Sequence, residues 1–252
     1  MITNTQRILY EDGYYPAYAK RKSKRVLSQG YCYTIEKFEE VKTTRVFRME
    51  LESGLVSYFS DCAVFLDMHW PRLISDIKVG DNVLTSYGNF KMTGEKTFAR
   101  VLAKAFVLDD KQSIENVCKR YKLKKMNHFK LLANDTDLIG DFLCEIVRYH
   151  IKDFRQDNII IKNVFHYELL QELILAFSMF GVKTKIEKEH GKWVLFIERA
   201  SFMKALTNLG GYLSCTQVVT NIHEIKQPTQ SFVVKLNVIN QITVNGVLIQ
   251  GD

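Results

Sequence analysis

Three stretches of this chain concentrate cations at spacings that suit a phosphate backbone. Lys20-Arg21-Lys22-Ser23-Lys24-Arg25 is a dense run. Lys119-Arg120-Tyr121-Lys122-Leu123-Lys124-Lys125 is a second, with Lys111 before it and Lys130 after. The third is dispersed over Arg148, His150, Lys152, Arg155 and Lys162. A cation beside a phosphate releases a condensed counterion, so such stretches suit a nucleic-acid backbone. Arg155, Asn158 and Lys162 also have side chains that can reach base edges. Each run reads equally as a solvated, charged face, and Asp153 and Asp157 interrupt the third. Tyr10, Tyr14, Tyr15 and Tyr18 flank the first run. They have faces for base stacking, and core packing or a protein interface is their commoner use.

Other chemistries are not spelled out in the residues. The cysteines are Cys32, Cys62, Cys118, Cys144 and Cys215. They are odd in number, scattered and without a CxxC, which argues against a disulfide framework or zinc finger and fits reduced thiols in a cytosolic compartment. Cys62 and Cys215 have no activating His or Lys beside them in sequence, so buried thiols are their default reading. The histidines do not cluster at ligand spacing, and no Ser-His-Asp or P-loop arrangement is found.

The chain has 252 residues, 46% hydrophobic and 25% charged, with a formal net charge of +7. That composition builds a real core, and the basic excess suits a polyanion partner. The start, MITNTQRILYEDGYYP, has no apolar signal region. No run of about 18 apolar residues is present, so no membrane span is expected.

Three textures follow one another. Up to about Leu84 the chain is strand-like: Val26–Ser28, Tyr31–Ile35, a hairpin over 44–59 turning at Ser53-Gly54, and a strand–turn–strand over Asp76–Thr85. From 97 to 215 helical periodicity alternates with strands. Helices are expected at Phe98–Leu108, Ser113–Tyr121, Asp137–Val147 (capped by Asp137), Leu169–Phe180 (stopped by Gly181) and Ser201–Leu209. A strand at Asn158–Asn163 and a hairpin around His190-Gly191 lie between them. The last section, 216–252, is strand-like again at Phe232–Val238 and Ile242–Ile249, with a turn at Asn245-Gly246. The expected fold class is α+β: a β-rich domain from residues 1–96 plus 216–252, carrying an inserted module at 97–215.

In that order the residues resemble a known family. RMELESGLVSYFSDCAVFL followed by ISDIKVGDNVLT, and the closing FVVKLNVINQITVNGVLIQGD, are similar to the Hint fold of inteins. The stretch from Leu138 to Leu213 resembles one αββαββα half of a LAGLIDADG homing endonuclease. Leu138-Ile139-Gly140-Asp141-Phe142-Leu143-Cys144-Glu145-Ile146 stands as its motif helix. Leu102–Asp110 is a weaker first copy, and there is no room for a complete first half between the two.

The resemblance implies roles that can be checked residue by residue. Splicing needs a nucleophile at the first residue, a histidine in a Thr-x-x-His block and a terminal His-Asn. Here those positions read Met1, Ala63 (in Ser60-Asp61-Cys62-Ala63) and Gln250-Gly251, so splicing is expected to be absent. For the nuclease, the resemblance puts Glu145 at the metal-binding acid and Asp109 at its matching position, where carboxylates would hold Mg²⁺. Ordinary readings stand beside these: a polar residue near a helix end for Glu145, and a solvated exit turn for Asp109-Asp110. Arg148, Lys152, Arg155, Asn158 and Lys162 fall where the family has its DNA-facing sheet, with Lys119, Arg120 and Lys122 on a basic flank.

The implied function is a free-standing, non-splicing intein relative in the cytoplasm that binds double-stranded DNA, with at most residual Mg²⁺-dependent cleavage. The alternative is a catalytically dead intein-like scaffold serving as a protein-interaction or assembly factor, for example in building a phage particle.

Overall fold

The computed structural model describes residues 1–3, 6–11, 13–19, 25–28, 31–67, 69–86, 99–100, 102–104, 110–120, 136–150, 154–155, 157–162, 167–207, 214–238 and 241–250. The chain divides into two compact units, Met1–Gly88 with Tyr212–Asp252, and Asn89–Gly211. No helix among the described residues is long and apolar enough to cross a membrane.

Among the described residues the first unit is a single twelve-stranded sheet. Its strands are β1 (Ile2–Thr3), β2 (Arg7–Tyr10), β3 (Gly13–Pro16), β4 (Arg25–Ser28), β5 (Tyr31–Leu51), β6 (Val56–Phe59), β7 (Ala63–Phe65), β8 (Pro71–Leu73), β9 (Asn82–Ser86), and, after the second unit's β10 to β13, β14 (Ser214–Leu236), β15 (Gln241–Val244) and β16 (Val247–Gln250). The hydrogen-bonded order runs β15-β2-β4-β5-β6-β1-β14-β9-β16-β7-β8, with β3 on β2. Two further pairings, β15–β16 and β5–β14, close the order on itself. Closure of this kind leaves few open edges.

The two longest strands form the frame. β5 and β14 run antiparallel from Ile35↔Leu236 to Leu51↔Val219. Most strands are about 5–6 residues long, and these have 21 and 23. Register shifts at Val219/Asn221, Lys226/Thr229 and Lys235/Leu236 let β14 bend as it goes. Pro228 lies within the second shift, a place where a residue without an N–H is tolerated in a strand. The strands expected at 31–35, 44–51 and 232–238 are therefore parts of two much longer ones. Residues 36–43 and 216–231 are too polar to show an apolar period, many of their side chains are exposed, and the ladder holds them extended.

The expected 44–59 hairpin is present. Gly54 has φ 82°, its N–H donates to the Leu51 carbonyl at 2.7 Å, and the Ser53 hydroxyl accepts from the Leu55 N–H. Asn245 and Gly246, at φ 49° and 78°, make the tight turn between β15 and β16, as an Asn-Gly pair does when both central residues need φ above zero. The strand–turn–strand expected over 76–85 is different: only β9 is a strand. Ile74–Asp76 is a 3-10 turn, and residues 77–81 dock on β14 instead, with Gly80 N–H donating to the Val219 carbonyl and Val219 N–H to that of Asp81. β9 pairs with Ser214–Val218, so Ser214 and Cys215 lie in the first unit and not in the inserted one. Alternate residues of these strands fill the core: Ile8, Val26, Met49, Phe59, Val64, Val83, Val219, Val244 and Leu248 are buried.

The second unit follows the order helix, strand, strand, helix, strand, strand, helix from Thr136 on: α2 (Thr136–His150), β10 (Phe154–Arg155), β11 (Asn158–Ile161), α3 (Tyr167–Met179), β12 (Thr184–Glu189), β13 (Lys192–Glu198) and α4 (Arg199–Leu206), after α1 (Lys111–Arg120). Its sheet is β10-β11-β13-β12, antiparallel throughout. Asp110 caps α1, accepting from the N–H of Ser113 at 3.0 Å and from its hydroxyl. Ser113 therefore lies inside the helix and not at its start. Asp137 likewise lies in the first turn of α2 and not at the cap. α3 ends in a Schellman motif: Val182 N–H reaches the Phe177 carbonyl, Gly181 N–H that of Ser178, and Gly181 has φ 72°. His190 and Gly191, at φ 48° and 79°, turn β12 into β13.

Candidate functional site

Helix α2 places the acid singled out from the sequence. Leu138 to Val147 is buried on nearly every side, Cys144 excepted as half-buried. A helix apolar all round packs inside a fold, yet this one carries two buried acids a turn apart, Asp141 and Glu145. Glu145 has two cationic neighbours. Arg148 Nη1 lies 2.9 Å from Oε1, one helical turn on, and Arg100 Nε lies 3.5 Å from Oε2. The carboxylate side chain is 6% exposed while the guanidinium side chains are 58% and 62% exposed. A buried carboxylate without a partner costs several kcal/mol, which is why the pairing is needed. The exposed ends of the arginines are worth little as stabilisation.

The electrostatics of this turn show in Cys144. Burial, and then the negative charge of Asp141 and Glu145, push its thiol up to about 12, against a smaller opposing pull from Arg148. A thiol held there is neutral and unreactive at physiological pH.

Mg²⁺ demands near-octahedral oxygen at about 2.0–2.1 Å. Both oxygens of Glu145 face guanidinium groups instead, and among the described residues no group of three His, Cys, Asp or Glu side chains is placed to hold a metal ion. The described residues thus do not fit a divalent cation at Glu145.

Of the other residues singled out from the sequence, Lys119 and Arg120 are exposed at the C-terminal end of α1, and Lys162 is exposed just past β11. Arg155 pairs with Asn158 across the β10–β11 ladder, and Asn158 also pairs with Glu198. Asp109, Lys122 and Lys152 lie outside the described residues, as does the side chain of Arg155. The structure brings Arg148 to Glu145 and adds two residues the sequence reading missed. Asp141 was legible as an acid four residues before Glu145 in an apolar helix. Arg100 carries no local signal, since only the tertiary fold brings it to α2.

In the first unit a second constellation forms from the positions that the intein resemblance assigns to splicing. The Met1 nitrogen donates to the Asp61 carbonyl at 3.1 Å, and Ser60 N–H donates to the Met1 carbonyl at 3.4 Å. Ile2 is held between Phe59 and Phe232. β16 runs antiparallel to β7 with Ile249 opposite Val64, which brings Gln250 level with Ala63. Met1, the Ser60–Ala63 block and Gln250 therefore converge. There the buried hydroxyls of Ser60 and Ser231 lie 3.3 Å apart, and Arg45 Nη1 lies 3.9 Å from Asp61 Oδ1. A thioether, a methyl group and a primary amide supply neither a nucleophile nor a proton carrier.

No protein-family model matches the chain, and no curated protein matches it. Among solved structures the chain is similar to the G-1F mutant of the Ssp DnaB mini-intein variant M86, at 7% sequence identity and a TM-score of 0.42, over 100% of this chain and 98% of that one.

Proposed function

We propose that this protein is a free-standing, non-splicing intein relative that binds double-stranded DNA through its second unit and does not cut it through Glu145. One observation carries the binding. Residues 89–211 hold 21 Lys and Arg against 15 Asp and Glu, a net +6, whereas the first unit holds 14 against 13, a net +1. Nearly all of the basic excess thus sits on one unit, and such asymmetry is the footprint of a polyanion-binding module. The helix–strand–strand order, repeated before a closing helix, supports the LAGLIDADG-like reading of that unit. The convergence of Met1, Ala63 and Gln250 supports an intein-like scaffold stripped of its chemistry.

The test is fluorescence anisotropy of the full chain with a labelled duplex of about 30 base pairs over a salt series. Affinity that falls steeply with salt supports the reading; absent or salt-insensitive binding overturns it. Plasmid incubated with Mg²⁺ is expected to stay uncut.

A second reading, the protein-interaction or assembly factor, is favoured by exposed apolar side chains within one short stretch of the first unit. Trp70 is 72% exposed, Leu73 57% and Val79 63%. Recovery of a stoichiometric protein partner that a Trp70→Ser, Leu73→Ser variant fails to hold would favour it over DNA.

A further inference from the structure

We propose that Glu145 is a positioning residue, a buried carboxylate that fixes Arg100 and Arg148 as a two-pronged receptor for one backbone phosphate of nucleic acid. The proposal rests on the DNA-binding reading above and gives it a location.

The geometry is polarised. The anion is buried and both cations reach outward, each more than half exposed. The trio sums to +1, so the charge presented to solvent is positive although an acid lies at its centre. Each guanidinium offers one nitrogen to Glu145, Nε from Arg100 and Nη1 from Arg148. Arginine has five N–H donors in a rigid fork matched to phosphate oxygens, so the donors turned away from the carboxylate are those that would take the ligand. Because both contacts end on one carboxylate, the two contacting nitrogens lie within about 9 Å of each other, a gap that one phosphate hydrogen-bonded on both sides can bridge.

Holding two long side chains in place beforehand is what makes such a site bind. A free arginine side chain samples many rotamers, and an anchored guanidinium has given up part of that freedom before the phosphate arrives. An anchor on Arg148 comes from its own helix. The anchor on Arg100 ties a residue from the 99–104 segment to α2.

The decisive variant is Glu145→Gln, which keeps the shape and raises the net charge by one. If the acid merely opposed DNA, the variant would bind duplex more tightly. If it positions the arginines, the variant binds more weakly, by about 3- to 10-fold. Arg100→Gln and Arg148→Gln are each expected to weaken binding by a similar factor and to lower the salt slope by about one. In the Arg100→Gln, Arg148→Gln background, Glu145→Gln should add no further loss. The probe is the same labelled duplex, with thermal melts of each variant to establish folding. Should Glu145→Gln fail to fold, the two arginine variants at exposed positions decide the question alone. Tighter or unchanged binding by folded Glu145→Gln, or unchanged binding by both arginine variants, overturns this inference and leaves the DNA reading standing. A wild-type chain that does not bind duplex overturns both.

Discussion

The amino nitrogen of Met1 stands 3.1 Å from the carbonyl oxygen of Asp61, so the first residue is seated on the block that the intein resemblance assigns to the catalytic histidine. With host sequence fused to both ends, mass spectrometry is expected to show only the unspliced precursor. Ala63→His by itself should leave this unchanged, because a proton donor without a nucleophile at position 1 has no acyl shift to assist. Ligated flanks from the unmodified chain would refute the assignment.

Asn245 ties the last hairpin to β6. Its side-chain amide donates to the Val56 carbonyl at 2.9 Å and to Ser57 Oγ at 3.0 Å, with the residue buried and at φ 49°. Asn245→Ala loses both bonds and places a methyl group at positive φ, an expected loss of about 2–3 kcal/mol in urea unfolding. Asn245→Gly relieves the backbone strain only and should fall between the two. Equal stability of wild type and alanine variant would show that the turn does not depend on this side chain.

The Cys144 thiol gives a pH signature. Burial raises it to about 12, above its ordinary value of 9.0. The folded state therefore holds this proton more tightly than the unfolded chain. The associated stability is fully present below pH 9 and is lost as pH climbs towards 12. Folded protein at pH 8 is expected to show slow alkylation at Cys144 by mass-spectrometric mapping, and fast alkylation once unfolded. Fast labelling of the native state would contradict the burial.

Asp110 is the opposite case. Hydrogen bonds from the Ser113 hydroxyl and N–H hold its carboxyl below the ordinary value of 3.8. Its contribution to α1 is present above that value and fades as pH falls through the lowered one. Asp110→Ala should increase amide exchange in the first turn of α1 at neutral pH, and Asp110→Asn should largely preserve protection there, since an amide oxygen still caps. Unchanged exchange in the alanine variant would remove the cap from the account of this helix.

Local chemistry was legible wherever one residue type leaves few conformational choices. Ser53-Gly54, His190-Gly191, Asn245-Gly246 and Gly181 each mark a turn or helix end through φ above zero. The apolar period placed α2, α3 and β13. Burial of Glu145 was not legible, because an acid in a helix declares its spacing and not its depth. Nor was the docking of residues 77–81 on Val219, whose partners lie far apart in sequence.

The sequence by itself determined the turns, the apolar helix with its two acids, the residue types at Met1, Ala63 and Gln250, and the surplus of cations in the middle of the chain. These depend on side-chain type and on neighbours a few residues away. Only the tertiary structure decided that the polar stretches at 36–43 and 219–231 pair in one long ladder, that Gln250 comes level with Ala63, and that Arg100 reaches Glu145. Ladder hydrogen bonds are blind to side-chain identity, and ion pairs between distant segments exist only once folding has met the entropic cost of bringing them together.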